Sequence, residues 1–185
     1  MKTTLITLIA LLAAITAQSS YAQMVDYYSG RDNIRVGDTQ YNIFHYENWV
    51  ILENDNNRIL HKPITWKDTG EPILGDPRPS AELDEVKVNE ITHQVFTQEE
   101  IDRYTSSNNY LSIGVVIDSQ TGKTLEAGFI LTNIRDYDDP IMLSIPIQKI
   151  EQLEELITKD LIWVVTPEWN NASHIELDIT LFRPD

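Results

Sequence analysis

The chain has 185 residues, with 29 acidic side chains against 14 lysines and arginines, a net charge of −15, and no cysteine. Such an acidic chain repels phosphate backbones and anionic lipid, which argues against nucleic acid and membrane surfaces as partners. Without cysteine there is no disulfide, no thiolate-bound metal and no thiol nucleophile, so packing alone must hold the fold.

Residues 1–22 read as a secretory signal peptide. Lys2 is their only charge, an apolar run from Leu5 to Ile15 follows, and Ser20-Tyr21-Ala22 places small residues where a signal peptidase cuts. The run is shorter than the roughly 20 apolar residues that span a bilayer. No later stretch is long and apolar enough for a membrane helix. The expected setting is the periplasm or exterior of a Gram-negative bacterium, because a cysteine-free exported domain fits bacterial export better than eukaryotic secretion.

Residues 23–80 form an expected β-rich part. The polar stretch 23–39, with turn formers at Ser29-Gly30 and Gly37-Asp38, reads as an extended entry segment. Aromatic and β-branched residues then predict strands near 40–46, 48–53 and 57–62, with Glu53 to Asn57 as a turn between the last two. Gly70 to Ser80, with its prolines and glycines, cannot be a helix interior and reads as a surface loop or the seam between two halves.

Residues 81–185 form an expected α+β part, in one compact unit with 23–80. Thr97-Gln98-Glu99-Glu100 has the pattern of a capping box and predicts a short helix ending near Ser106 to Asn109. A hairpin follows. If Leu111, Ile113, Val115 and Ile117 face the core, their partners are Leu131, Phe129, Ala127 and Leu125, around a loop from Ser119 to Lys123. This register sets Gly114 opposite Gly128 and leaves a bare patch of backbone that a ligand, a helix or another strand can approach. Residues 144–160 predict a second helix with an apolar stripe of Ile147, Ile150, Leu153, Ile157 and Leu161. Ser144 is its candidate cap. Glu151, Gln152, Glu154, Glu155 and Lys159 should face water. Leu161 to Val165 and then residues 175–182 read as strands, the latter with Glu176, Asp178 and Thr180 alternating against an apolar face.

Catalytic signatures are absent from the sequence. None of His45, His61, His93 and His174 has a second histidine at ligand spacing, so neither a metal nor another cofactor is expected. Asp136-Tyr137-Asp138-Asp139 lacks the rest of a calcium loop and reads as a solvated turn. There is no nucleophile elbow and no glycine-rich phosphate loop. Tyr46, Trp49, Trp66 and Trp169 are candidates for an exposed stacking platform, against the commoner fate of core packing.

From Tyr110 to Phe182 the order of hairpin, helix, short segment and strand resembles the C-terminal domain of TonB energy-transducing proteins. The matching stretches are the turn Asp118 to Lys123, the segment "LIWVVTPEW" with Trp163 and Trp169, and the strand "IELDITLF". The resemblance implies that fold and recognition by strand addition. It does not imply energy transduction, because the membrane anchor and proline-rich stalk of that family have no counterpart here. The whole chain is also similar to small exported proteins of gut-type Gram-negative anaerobes.

The expected fold is therefore α+β: an antiparallel sheet with two helices, a hairpin–helix–strand C-terminal half and a β-rich N-terminal part. The expected function is a non-catalytic envelope interaction module that binds another envelope protein by a sheet edge, at Glu176, Asp178, Thr180 and the Gly114/Gly128 patch. The alternative is a glycan or small-ligand binder using Tyr46, Trp49, Trp66 and Trp169. A hydrolase is third.

Overall fold

The structure is a computed structural model that describes residues 26–74, 80–105, 109–132 and 141–182. The expected signal peptide, the acidic cluster at 136–139, the end of the first expected helix at 106–108 and part of the proline-rich stretch, 75–79, lie outside the described residues.

The fold is α+β. Six strands form one antiparallel sheet in the order β1 (Asn33–Val36), β2 (Thr39–His45), β3 (Trp49–Asn54), β6 (Thr124–Thr132), β5 (Tyr110–Ile117) and β8 (Ile175–Phe182). A second, two-stranded sheet pairs β4 (Ala81–Glu82) with β7 (Val164–Val165). The three α-helices among the described residues are α1 (Glu85–Val95), α2 (Gln98–Thr105) and α3 (Ile147–Asp160). Strands from both parts of the chain lie in the one large sheet, with β3 hydrogen-bonded to β6.

The capping box forms as its sequence predicts. Thr97 N–H donates to Glu100 Oε2 (2.9 Å) and Glu100 N–H to Thr97 Oγ1 (3.3 Å). Helix α1 precedes it and adds to the two helices expected from sequence. Asp84 caps it by accepting from Lys87 N–H (3.0 Å). Helix α3 buries Ile147, Ile150, Leu153 and Ile157 against the sheet's inner face. Each such side chain contributes about 1.5–3 kcal/mol. Ser144 is not its cap: it lies in a preceding turn of 3₁₀-helix and its hydroxyl donates to Ile141 O (2.6 Å). Glu154 does not face water. It is buried under β2 and β3, where it accepts from the Tyr41 hydroxyl and from Asn54 Nδ2 (3.1 Å).

The hairpin keeps its expected register at Leu111–Leu131, Ile113–Phe129, Gly114–Gly128 and Val115–Ala127. It departs at the end. An irregularity between Val116 and Ile117 pairs Ile117 with Thr124 and leaves Leu125 exposed. The reason is Trp163, whose indole N–H donates to Thr124 Oγ1 (3.0 Å) and whose backbone N–H donates to Gly122 O (2.8 Å). Turning Thr124 inward satisfies a buried indole that Leu125 would not. The expected strand 161–165 shortens for the same reason to β7, with Ile162 making only a bridge to Lys123.

Residues 57–62 are not a strand. The Glu126 carboxylate accepts the N–H groups of Arg58 (2.6 Å), Ile59 (2.8 Å) and Leu60 (2.8 Å), so these donors are withdrawn from any ladder. The chain from Asn57 to Ile73 instead folds over one end of the sheet's outer face. It is tied to residues 171–173 by Lys67 N–H to Asn171 O (2.8 Å) and Ser173 N–H to Thr65 O (2.7 Å).

Candidate functional site

The inner face of the sheet carries the core and α3, with a groove of about 500 Å³ at one end beside Tyr41, Asn54 and Glu154; the outer face holds two further grooves. Alternation along each strand sets its rows. One row runs Asn42, Glu53, Gly128, Gly114, Asp178; the next runs Phe44, Ile51, Ile130, Ser112, Thr180. Trp49, Thr132 and Tyr110 continue the surface beyond them. Two small residues between two carboxylates make a trough.

The trough is a cleft of about 450 Å³ lined by Glu53, Leu60, His61, Ile64, Gly114, Gly128, Glu176 and Asp178, among others. The two glycines have different neighbours. A Cβ on Gly128 would lie 3.0 Å from Leu60 Cδ2, so the overlying segment already fills that space. A Cβ on Gly114 would lie 3.2 Å from Asp178 Oδ1, so Gly114 gives that carboxylate its room. The bare patch read from the sequence is thus half covered, by a loop of the same chain, and half open.

His61 holds the covered end together. It has φ +69°, the left-handed region that non-glycine residues seldom enter. Its N–H donates to Glu176 Oε1 (2.8 Å), and its Nε2 lies 2.7 Å from Glu53 Oε1. His174, which immediately precedes β8 and is two residues from Glu176, is buried. Its Nδ1 is 3.0 Å from Ser173 Oγ, and its Nε2 is 3.5 Å from Glu176 Oε1, without a directed hydrogen bond. Asp178 is exposed and has no hydrogen-bond or ion-pair partner among the described residues. The hydroxyls of Thr180 and Ser112 are 3.3 Å apart.

A second groove of about 430 Å³ adjoins the first and shares Ile51, Ile130 and Asp178 with it. Tyr46, Trp49 and Tyr110 line its far end. Tyr46 and Trp49 are 54% and 44% exposed, with ring centroids 5.8 Å apart and planes tilted by 48°. Trp66 and Trp169 are elsewhere. They stack on each other at 6.0 Å and are half-buried where the overlying segment meets the loop before β8. The four aromatic candidates therefore fall into two separate pairs, and Tyr46 and Trp49 border the second groove.

Among the described residues no cluster of three or more His, Asp and Glu side chains is placed to hold a metal ion. Nor is any described helix long and apolar enough to cross a membrane. The arrangement can bind positive charge and hydrogen-bond donors at one end and apolar or aromatic groups at the other. Of the expected residues, Gly114, Gly128, Glu176 and Asp178 come together in the cleft, and Thr180 stands beside it on β8. Glu53, His61, Ile51, Ile130 and Tyr110 were not expected there. Glu53 becomes legible only once β3 is known to pair with β6, which sets it across from Gly128.

No protein-family model matches the chain, and no curated protein sequence matches it. Among solved structures, it is similar to a DUF5043 family protein from Bacteroides uniformis, at 20% identity and a TM-score of 0.69, over 88% of this chain and 90% of the other. At that identity the likeness is one of fold.

Proposed function

We propose that the protein is an exported, non-catalytic interaction module that receives an extended segment of another envelope protein along the edge of β8. One observation carries this reading: β8 pairs with β5 on one side, and no described strand pairs with it on the other. An eight-residue edge offers a row of backbone donors and acceptors to an incoming strand. Asp178 and Thr180 project from it beside the open cleft, where they can select the side chains of the added strand. Strand addition is also the mode implied by the resemblance of Tyr110 to Phe182 to TonB C-terminal domains. Export rests on Lys2, the run Leu5 to Ile15 and the Ser20-Tyr21-Ala22 site.

The test is site-specific photocrosslinking in cells. A crosslinking side chain at Thr180 should yield a discrete adduct with an envelope protein, whereas one at Arg35 on the opposite edge strand β1 should not. Equal labelling from both positions, or none from Thr180, removes the edge as the recognition element. Fractionation of the same cells should find a protein shortened at its N-terminus in the envelope.

A further inference from the structure

We propose that the outer-face cleft is a binding site for a small organic cation: a primary ammonium or guanidinium on a short apolar stem, its head on Asp178 and its stem running toward Trp49. This shares Asp178 with strand addition at β8 but uses the cleft rather than the backbone edge, so the crosslinking and the titration below can fail separately.

Charge is the first argument. Among the described residues no lysine or arginine lines either groove, while Glu53, Glu176 and Asp178 all line one or both. Glu53 is engaged by the His61 ring and Glu176 by the His61 N–H. Asp178 is left without a partner, at the point where the two grooves meet. Its carboxylate lies over Gly114, where any larger residue would crowd it. A cationic head placed there gains a charge-assisted hydrogen bond that no described residue supplies. The chain's net charge of −15 attracts such a ligand from a distance.

Shape is the second argument. From Asp178 the surface continues over Ile130 and Ile51 to Tyr46 and Trp49. That is an apolar track ending in exposed rings, suited to a methylene stem or a second cationic group above the indole face. One buried polar atom lies beside this track. Thr132 is 1% exposed, sits in register with both Trp49 and Tyr110, and its hydroxyl has no hydrogen-bond partner among the described residues. Buried polar atoms without a partner are uncommon in folded proteins.

The experiment is calorimetric titration of the purified protein with agmatine and 1,6-diaminohexane. 1-Hexanol and maltotriose serve as neutral comparisons, and a lysine-bearing extended peptide as a macromolecular one. The expected result is saturable binding of the two cations, weaker at high salt. Asp178→Asn should weaken it about tenfold, the loss of one charged hydrogen bond. Trp49→Ala should also weaken it, and Trp66→Ala should not. Gly114→Ala, which narrows the floor beneath Asp178, is a second variant that leaves the charge in place and should also weaken binding. The proposal is overturned if the cations do not bind, if 1-hexanol binds as well, or if Asp178→Asn changes nothing. Maltotriose binding that needs Trp49, without cation binding, would assign the groove to neutral glycans. Binding of the peptide alone would assign it to a partner chain.

Discussion

The Tyr41 hydroxyl donates to the buried Glu154 carboxylate, joining β2 to α3 across 113 residues of chain. Asn54 Nδ2 reaches both oxygens of the same carboxylate at 3.1 Å. Burial pushes the Glu154 carboxyl above the ordinary glutamate range; the bonds from Tyr41 and Asn54 pull it down, and Glu151 and Glu126 add to the rise. Burial, then the charge of Glu154, pushes the Tyr41 hydroxyl up, so it stays a donor.

The sign of the pH effect follows. A carboxyl whose folded pKa is raised binds more protons in the folded state. Its contribution is complete below the unfolded pKa and is lost as pH rises through the folded one. Glu154→Gln should therefore abolish a gain in stability that the natural protein shows on mild acidification. Paired thermal melts between pH 7 and pH 5 read this as a difference between the two proteins. Identical pH slopes would refute it. Glu154→Ala, which strands the buried Tyr41 hydroxyl and the half-buried Asn54 amide, should cost about 1–3 kcal/mol at neutral pH.

Lys149 carries the opposite pH dependence. Its Nζ donates to Val95 O (2.8 Å) at the end of α1 and to Glu100 Oε2 (2.7 Å) in the capping box of α2. Partial burial raises the Glu100 carboxyl, but the bonds from Lys149 and Thr97 outweigh it and hold the group below its ordinary range. That contribution is present above the unfolded pKa and is lost as pH falls through the folded one. Lys149→Met should destabilise by about 1–3 kcal/mol at pH 7. The gap to the natural protein should narrow in acid, read by urea unfolding at pH 7 and below pH 4.

Glu126 orders the segment that covers half of the cleft. Glu126→Ala removes the acceptor of three successive N–H groups. Amide exchange at Ile59 and Leu60 should accelerate by at least about tenfold, while amides of β5 stay protected. If exchange at Ile59 and Leu60 is unchanged, the carboxylate does not hold the segment.

Two glycine substitutions should differ sharply. Gly122 has φ +69°, and a Cβ there would lie 2.0 Å from Trp163 O, a backbone atom that cannot move alone. Gly122→Ala should cost more than about 3 kcal/mol, from backbone strain and the lost contact between turn and Trp163. Gly128→Ala presses closest on the far end of Leu60, which can rotate, with Glu53 Cγ next at 3.4 Å, and should cost about 1 kcal/mol or less. Comparable losses in denaturant melts would contradict the assignment of Gly122 as the rigid point of the hairpin.

Much of the frame was legible from local pattern. The alternation of β5 and β6 excludes a one-residue slip, since that would set Thr124, Glu126 and Gly128 against the apolar set. The register from Leu111–Leu131 to Val115–Ala127 follows. The i, i+3, i+4 stripe of α3 and the Thr97–Glu100 box are equally local. The misreadings share one cause. Ile117–Leu125, the strand at 57–62 and the solvent-facing Glu154 were each overruled by a partner distant in sequence: Trp163, Glu126, and Tyr41 with Asn54.

The candidate site divides in the same way. Period-two alternation alone sets Gly114 opposite Gly128 and puts Glu176, Asp178 and Thr180 on one face of β8, because side-chain direction in a strand depends only on position along it. Bringing Glu53 and His61 to that face, placing Leu60 over Gly128 while leaving Asp178 free, and separating Tyr46 and Trp49 from Trp66 and Trp169 all required the assembled sheet. Pairing of β3 with β6 and the path of residues 57–73 depend on hydrogen bonds between distant segments, and no local spacing encodes those.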